Sequence, residues 1–108
     1  MRKTFRVSIL PRAEFDVDAI YFWLQSRSPK GSQAWFLAFE QALGRLATDA
    51  DTCGSAPEAQ RLNRDLKQCL FKTRQGRNYR AVFILDDTEA IILRVRGPGQ
   101  PILKDDEI

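Results

Sequence analysis

Six cations are the residues of this chain whose type and spacing point to chemistry. Lys72, Arg74 and Arg77 fall in one stretch, Arg80 follows three residues on, and Arg94 and Arg96 sit two apart further along. Between Arg61 and Arg80 there are seven Lys/Arg and one acid, Asp65, whereas the whole 108-residue chain carries a net charge of only +3. Guanidinium groups stay charged at working pH and bind phosphate bidentately. Gathered on one surface, they would grip a nucleic-acid backbone or stabilise the charge that develops during phosphoryl transfer. Spread over an exposed face, the same charges read as solvation alone, and Lys72 to Arg77 read equally as a charged turn.

Other chemistries are excluded by composition. The chain has no histidine, which removes Ser-His-Asp and Cys-His nucleophiles and imidazole-bound metals. Acid–base catalysis near neutrality would need Asp, Glu, Lys, Tyr, Arg or Cys with a displaced pKa. Tyr79, next to Arg80, is a candidate, but strand alternation points it into the core. Cys53 and Cys69 are sixteen positions apart, fit no zinc spacing, and read as unpaired thiols of a reducing compartment. The acids of Asp86-Asp87-Thr88-Glu89 and Asp105-Asp106-Glu107 lack a calcium-loop spacing and read as turn and tail solvation. We expect no metal and no cofactor. No apolar run approaches the roughly 20 residues of a membrane span, and no signal-peptide core follows the basic start. The expectation is one cytoplasmic domain over residues 1–108 that makes no membrane contact.

The elements that must position the cations are legible in the hydrophobic pattern. Phe5 to Leu10 alternates as a half-buried strand that Pro11 ends. Ala13 to about Arg27 has apolar positions at helical spacing, with Asp16 and Asp18 in the half that suits carboxylates. Ser28-Pro29 is an N-cap followed by a first-turn proline, opening a second helix to about Thr48. The short break between the two predicts an antiparallel hairpin. A loop from Thr48 to Pro57 and a short helix over 59–66 lead to three strands, at about 67–73, 78–85 and 90–96. The acidic tail from Lys104 to Ile108 reads as mobile. The fold class is α+β: an N-terminal strand, an antiparallel helical hairpin, then a three-stranded antiparallel meander with the helices on one face of the sheet. Alternation then packs Tyr79, Phe83, Leu93 and Val95 on the helices and places Arg80, Arg94 and Arg96 together on the open face, with Arg6 or Lys72 nearby. The hairpin carries aromatic pairs, Phe22-Trp23 and Trp35-Phe36, that cannot all face one sheet, so some of this surface is left for a partner protein.

Layout and residues together resemble toxins of the RelE/ParE superfamily from type II toxin–antitoxin modules. The resemblance rests on Pro11 and Ala13 after the first strand, Asp16 and Ile20 on the first helix, and Ala34, Phe36, Ala42 and Leu46 on the second. Its most specific part is Tyr79-Arg80, the apolar strand and Asp-rich turn after it, and Ile92-Leu-Arg-Val-Arg96. It implies a growth-inhibiting toxin of the plasmid-stabilisation kind, held in a hetero-oligomer by an antitoxin. The antitoxin's disordered segment would fold over the groove and hairpin, at Phe22, Trp23, Trp35 and Phe39. The RelE branch cleaves mRNA on the ribosome; on that pattern Arg80 and Lys72, with Arg94 and Arg96, would be catalytic. Lys72, Arg74, Arg77, Arg80, Arg94 and Arg96 would in either case face the target. The chain departs from the RelE pattern in having Gly97-Pro98-Gly99 after the last strand and no C-terminal tyrosine. The uninterrupted hairpin from Glu14 to Thr48 resembles the ParE branch, which is not enzymatic and inhibits DNA gyrase. That branch is favoured, with the mRNA endonuclease as the alternative and a non-toxic basic nucleic-acid-binding module as a third possibility.

Overall fold

Proline opens each α-helix. Pro11, Pro29 and Pro57 stand at helix starts, where the missing N–H has no intrahelical role and the fixed φ is already helical. The computed structural model, which describes residues 3–108, has α1 over Pro11–Gln25, α2 over Pro29–Asp49 and α3 over Pro57–Leu62. Ser28 caps α2 as its sequence implies, its hydroxyl accepting the Gly31 N–H at 3.0 Å. Helix α1 starts two residues earlier than apolar spacing alone indicates. Helix α3 is shorter than expected, because Asn63 adopts a left-handed conformation (φ 53°) that stops it.

The strands are β1 Arg6–Ile9, β2 Lys67–Phe71, β3 Tyr79–Leu85 and β4 Glu89–Arg96. They form one sheet of order β1-β4-β3-β2. The meander of β2, β3 and β4 is antiparallel, and β1 adds to it parallel to β4, with Arg6 opposite Glu89 and Ile9 opposite Ile92. Lys72 lies just past β2, in the turn and not on the strand.

Helices α1 and α2 cover one face of the sheet. Their core includes Val17, Trp35, Phe39 and Leu46, packed on Phe71, Phe83 and Ile92 from the strands. Trp35 stacks on Phe39 at 6.0 Å and meets Phe71 at 5.8 Å and Tyr79 at 5.4 Å. Rings of this size bury roughly 150–250 Å² each, so this group dominates the apolar stabilisation.

The opposite face, expected to be open, is covered. Ala56, Leu66, Val82, Leu93 and Leu103 form a second buried cluster there. A bulge brings Leu93 to this face: Val82 pairs with Arg94 and Phe83 with Ile92, which leaves Leu93 without a partner in the register. Alternation slips at that point. Ile92 and Val95 face the hairpin, while Leu93 joins Val82 under α3 and the C-terminal segment. That segment, including the tail expected to be mobile, is docked on the fold. Leu103 is fully buried, Asp105–Glu107 form a 3-10 turn, and Arg12 donates to the Asp106 carbonyl at 3.2 Å.

β1 ends before β4 does. The Leu10 N–H reaches the Ile92 carbonyl at 3.0 Å, and Pro11 then turns the chain into α1. The rest of the β4 edge is satisfied by Asp16 of α1. Its carboxylate accepts the Val95 N–H at 3.0 Å and the Arg94 guanidinium at 2.7 and 2.9 Å. The aspartate therefore does more than complement a helix dipole: it closes a sheet edge. Asp16→Ala is expected to destabilise the fold by roughly 3 kcal/mol, since it strands a guanidinium and a backbone N–H. The exposed neighbour Asp18→Ala should stay within about 0.5 kcal/mol. Urea unfolding of the two variants measures the contrast.

Candidate binding cleft

The register brings Arg80 and Arg96 directly opposite each other, but beneath α3 and the C-terminal segment. Arg80 forms a bidentate pair with Glu58 of α3, Nη1 to Oε1 at 2.7 Å and Nη2 to Oε2 at 2.6 Å. Glu58 is fully buried and also accepts the Leu103 N–H at 2.9 Å. Burial pushes its carboxyl up, but the Arg80 guanidinium and the Leu103 N–H outweigh this and hold it below its ordinary value of 4.5. Arg94 is taken by Asp16 and by the Glu107 carbonyl, and its hydrogen bond to Asp16 raises its pKa. Arg96 donates to the Pro101 carbonyl at 2.7 Å, while its Nε is buried without a partner; burial lowers its pKa. The three strand arginines are thus fastened inside the fold, a correction to the open cationic face.

Lys72, Arg74 and Arg77 are exposed around the β2–β3 turn. A Cβ on Gly76 would crowd the Thr73 hydroxyl, and the Gly76 N–H closes the turn on the Thr73 carbonyl.

This turn forms one wall of a cleft of about 660 Å³. The facing wall is the second half of α1, with Ile20, Trp23 and Leu24, and the start of α2, with Gly31 and Trp35. Tyr79 lines it from β3, and Gly97, Pro98 and Gln100 from the loop after β4. Gly97 lets that loop approach the Tyr79 ring, which a Cβ would meet at 3.1 Å. Among the described residues, the only titratable groups lining the cleft are Arg77 and Tyr79. Burial raises the Tyr79 pKa, against a pull from Arg77, so the phenol stays protonated near neutrality. The cleft suits an apolar or aromatic group beside a cation and a hydroxyl, a lining typical of binding sites. Among the described residues, no three His, Cys, Asp or Glu gather to hold a metal ion.

The aromatic residues separate by helix face. Phe22 and Trp23 are 65% and 55% exposed, whereas Trp35 and Phe39 are 2% and 3% exposed. Trp35 and Phe39 are therefore core and not on the open side of the hairpin, because α2 turns positions 35, 38, 39, 42 and 46 inward. Position 36 faces out: Phe36 meets Tyr21 at 6.0 Å, and Tyr21 meets Phe22 at 5.8 Å. The Arg27 guanidinium lies 4.2 Å over the Trp23 ring. Phe15, one of the apolar positions that mark α1 as a helix, and Leu37 also lie exposed; sequence reasoning passed over Leu37. It also missed Glu58, whose signal is an acid in the otherwise apolar start of α3, and Gly97 and Gln100, whose roles depend on where a loop folds.

Comparison with models of known families, with curated proteins and with solved structures finds no match.

Glu58 sets an acid limit on stability. Its folded pKa lies below the unfolded value, so its contribution is complete above about pH 4.5 and is lost as pH falls through the folded value. Urea midpoints taken from pH 7 down to pH 3 should fall for the parent chain. A Glu58→Gln variant should start lower and show a shallower fall.

Proposed function

We propose that this chain is the toxin of a type II toxin–antitoxin module of the RelE/ParE kind, and that it acts by ParE-like inhibition of DNA gyrase. The observation that carries the choice of branch is the Arg80–Glu58 pair, 2.6 Å at its shorter contact. On the RelE pattern Arg80 would meet RNA phosphate, but here a buried carboxylate already holds it. Arg94 is likewise held by Asp16 at 2.7 Å. Gly97-Pro98-Gly99 supplies no further cation. The exposed Phe22 and Trp23, with Phe15 and Phe36, support an antitoxin segment covering the outer side of the hairpin. Among the described residues no helix is long and apolar enough to cross a membrane. The proposed site of action is the cytoplasm, where gyrase works.

Two measurements test this reading. Induced expression should arrest growth with ribosome-bound mRNA intact, and purified protein should inhibit gyrase supercoiling of relaxed plasmid. Cleaved mRNA, abolished in the variant Lys72→Ala/Arg74→Ala/Arg77→Ala, would replace the proposal with the endonuclease. That variant is the informative one, because its exposed positions should change stability by only about 0.5 kcal/mol each or less, whereas Arg80→Ala removes a structural pair. Salt-sensitive binding to nucleic acid of any sequence, with neither phenotype, would favour a plain binding module.

A further inference from the structure

The stretch between α2 and α3 runs beside β2 as a short extra strand. Ser55 and Lys67 form an antiparallel bridge. The Gln68 N–H reaches the Gly54 carbonyl at 3.0 Å, and the Ala56 N–H reaches the Leu66 carbonyl at 2.8 Å. These contacts share one register, which, continued by two residues, would set Cys53 opposite Cys69. Because the backbone bonds fall on 54/68 and 56/66, the pair 55/67 is the non-hydrogen-bonded kind, and 53/69 would be the same kind. In such pairs the Cα atoms approach to about 4.5 Å and the side chains lie closest. A disulfide needs Cα atoms about 4.4–6.8 Å apart. Cys53 is in extended backbone (φ −69°, ψ 144°). Its thiol donates to the Asp49 carbonyl and that of Cys69 to the Leu70 carbonyl, each at 3.9 Å, and Cys69 is near enough to help raise the Cys53 pKa. Both thiols are free.

We propose that Cys53 and Cys69 are a redox-modification site that closes into a reversible cross-strand disulfide, pinning the segment after α2 to β2. The oxidant is a small disulfide of the glutathione class. Cys53 is the more accessible thiol, so its thiolate attacks first and displaces one glutathione thiolate. The Cys69 thiolate then attacks the Cys53 sulfur and releases the second. Two protein thiols are oxidised, one small disulfide is reduced, and the two protons end on the released glutathiones. Burial and the adjacent Cys69 push the Cys53 thiol up to about 11, against the pull of Lys67 and Arg45. Little Cys53 is thiolate near neutrality, so closure is slow there. The closed loop contains α3, and with it the carboxylate that holds Arg80.

The test uses the full chain, purified under reducing conditions and then incubated with oxidised glutathione. The expected product is a monomer lighter by two hydrogens, with a Cys53–Cys69 crosslink in its peptide map and a Tm raised by roughly 10 °C. Dithiothreitol should reverse both changes. Cys53→Ser, at the half-exposed position, should keep the reduced protein's Tm and lose the oxidant-dependent rise. A stable glutathione adduct on Cys53, a disulfide-linked dimer, or unreacted thiols after denaturation of the oxidised sample would each overturn the proposal. So would a crosslink whose formation leaves Tm unchanged.

Discussion

A fully buried carboxylate organises half of this molecule. Glu58 has no access to water, and an ionised carboxylate in that position is tolerated only with a paired cation and satisfied lone pairs. Arg80 supplies the cation from β3, and the Leu103 N–H supplies a further donor from the C-terminal segment. Three parts of the chain, far apart in sequence, are thereby fixed to one point. Pro57 starts α3 one residue before Glu58 and so sets where the carboxylate enters the sheet face. Leu103 then packs with Leu66, Val82 and Leu93 around it. Covering this face follows from satisfying the charge as much as from burying apolar surface.

Asp16 applies the same principle at the other end of the arginine set. β1 is too short to pair the whole of β4, and a carboxylate on α1 takes over the ladder where the strand stops. It holds Arg94 at the same time. The two acids work from opposite layers, one on the hairpin and one on α3, and they divide the basic run into two classes. Cations on β3 and β4 are internal fastenings. Cations on the β2–β3 turn, which no hydrogen bond or ion pair to an acid holds among the described residues, are exposed to solvent.

Much of the fold was legible in the sequence because it rests on local rules. Ser28-Pro29 marked the start of α2, and the alternation of Tyr79 to Leu85 identified β3. Both depend on neighbours within a few residues. The covering of the second face was not legible, since it needs a one-residue bulge at Leu93 to change the facing of β4. Strict alternation carried across that bulge puts Leu93 on the wrong side. Partner identity also failed at Trp35 and Phe39: counting aromatics on two helices shows that some must be exposed, but only packing decides which. The arginine cluster was half readable. Alternation put Arg80 and Arg96 on one face, where they stand opposite each other, yet their availability depended on Glu58 and Asp16, acids whose distance in sequence hid the pairing.

The cleft and the exposed side of the hairpin meet at one residue. Trp23 lines the cleft and is itself more than half exposed, with Arg27 stacked on its ring. On the proposed function, an antitoxin segment running from the cleft over Trp23 onto the hairpin would bury exposed rings that a compact occupant of the cleft would leave in water. An acidic stretch in it would complement the three turn cations.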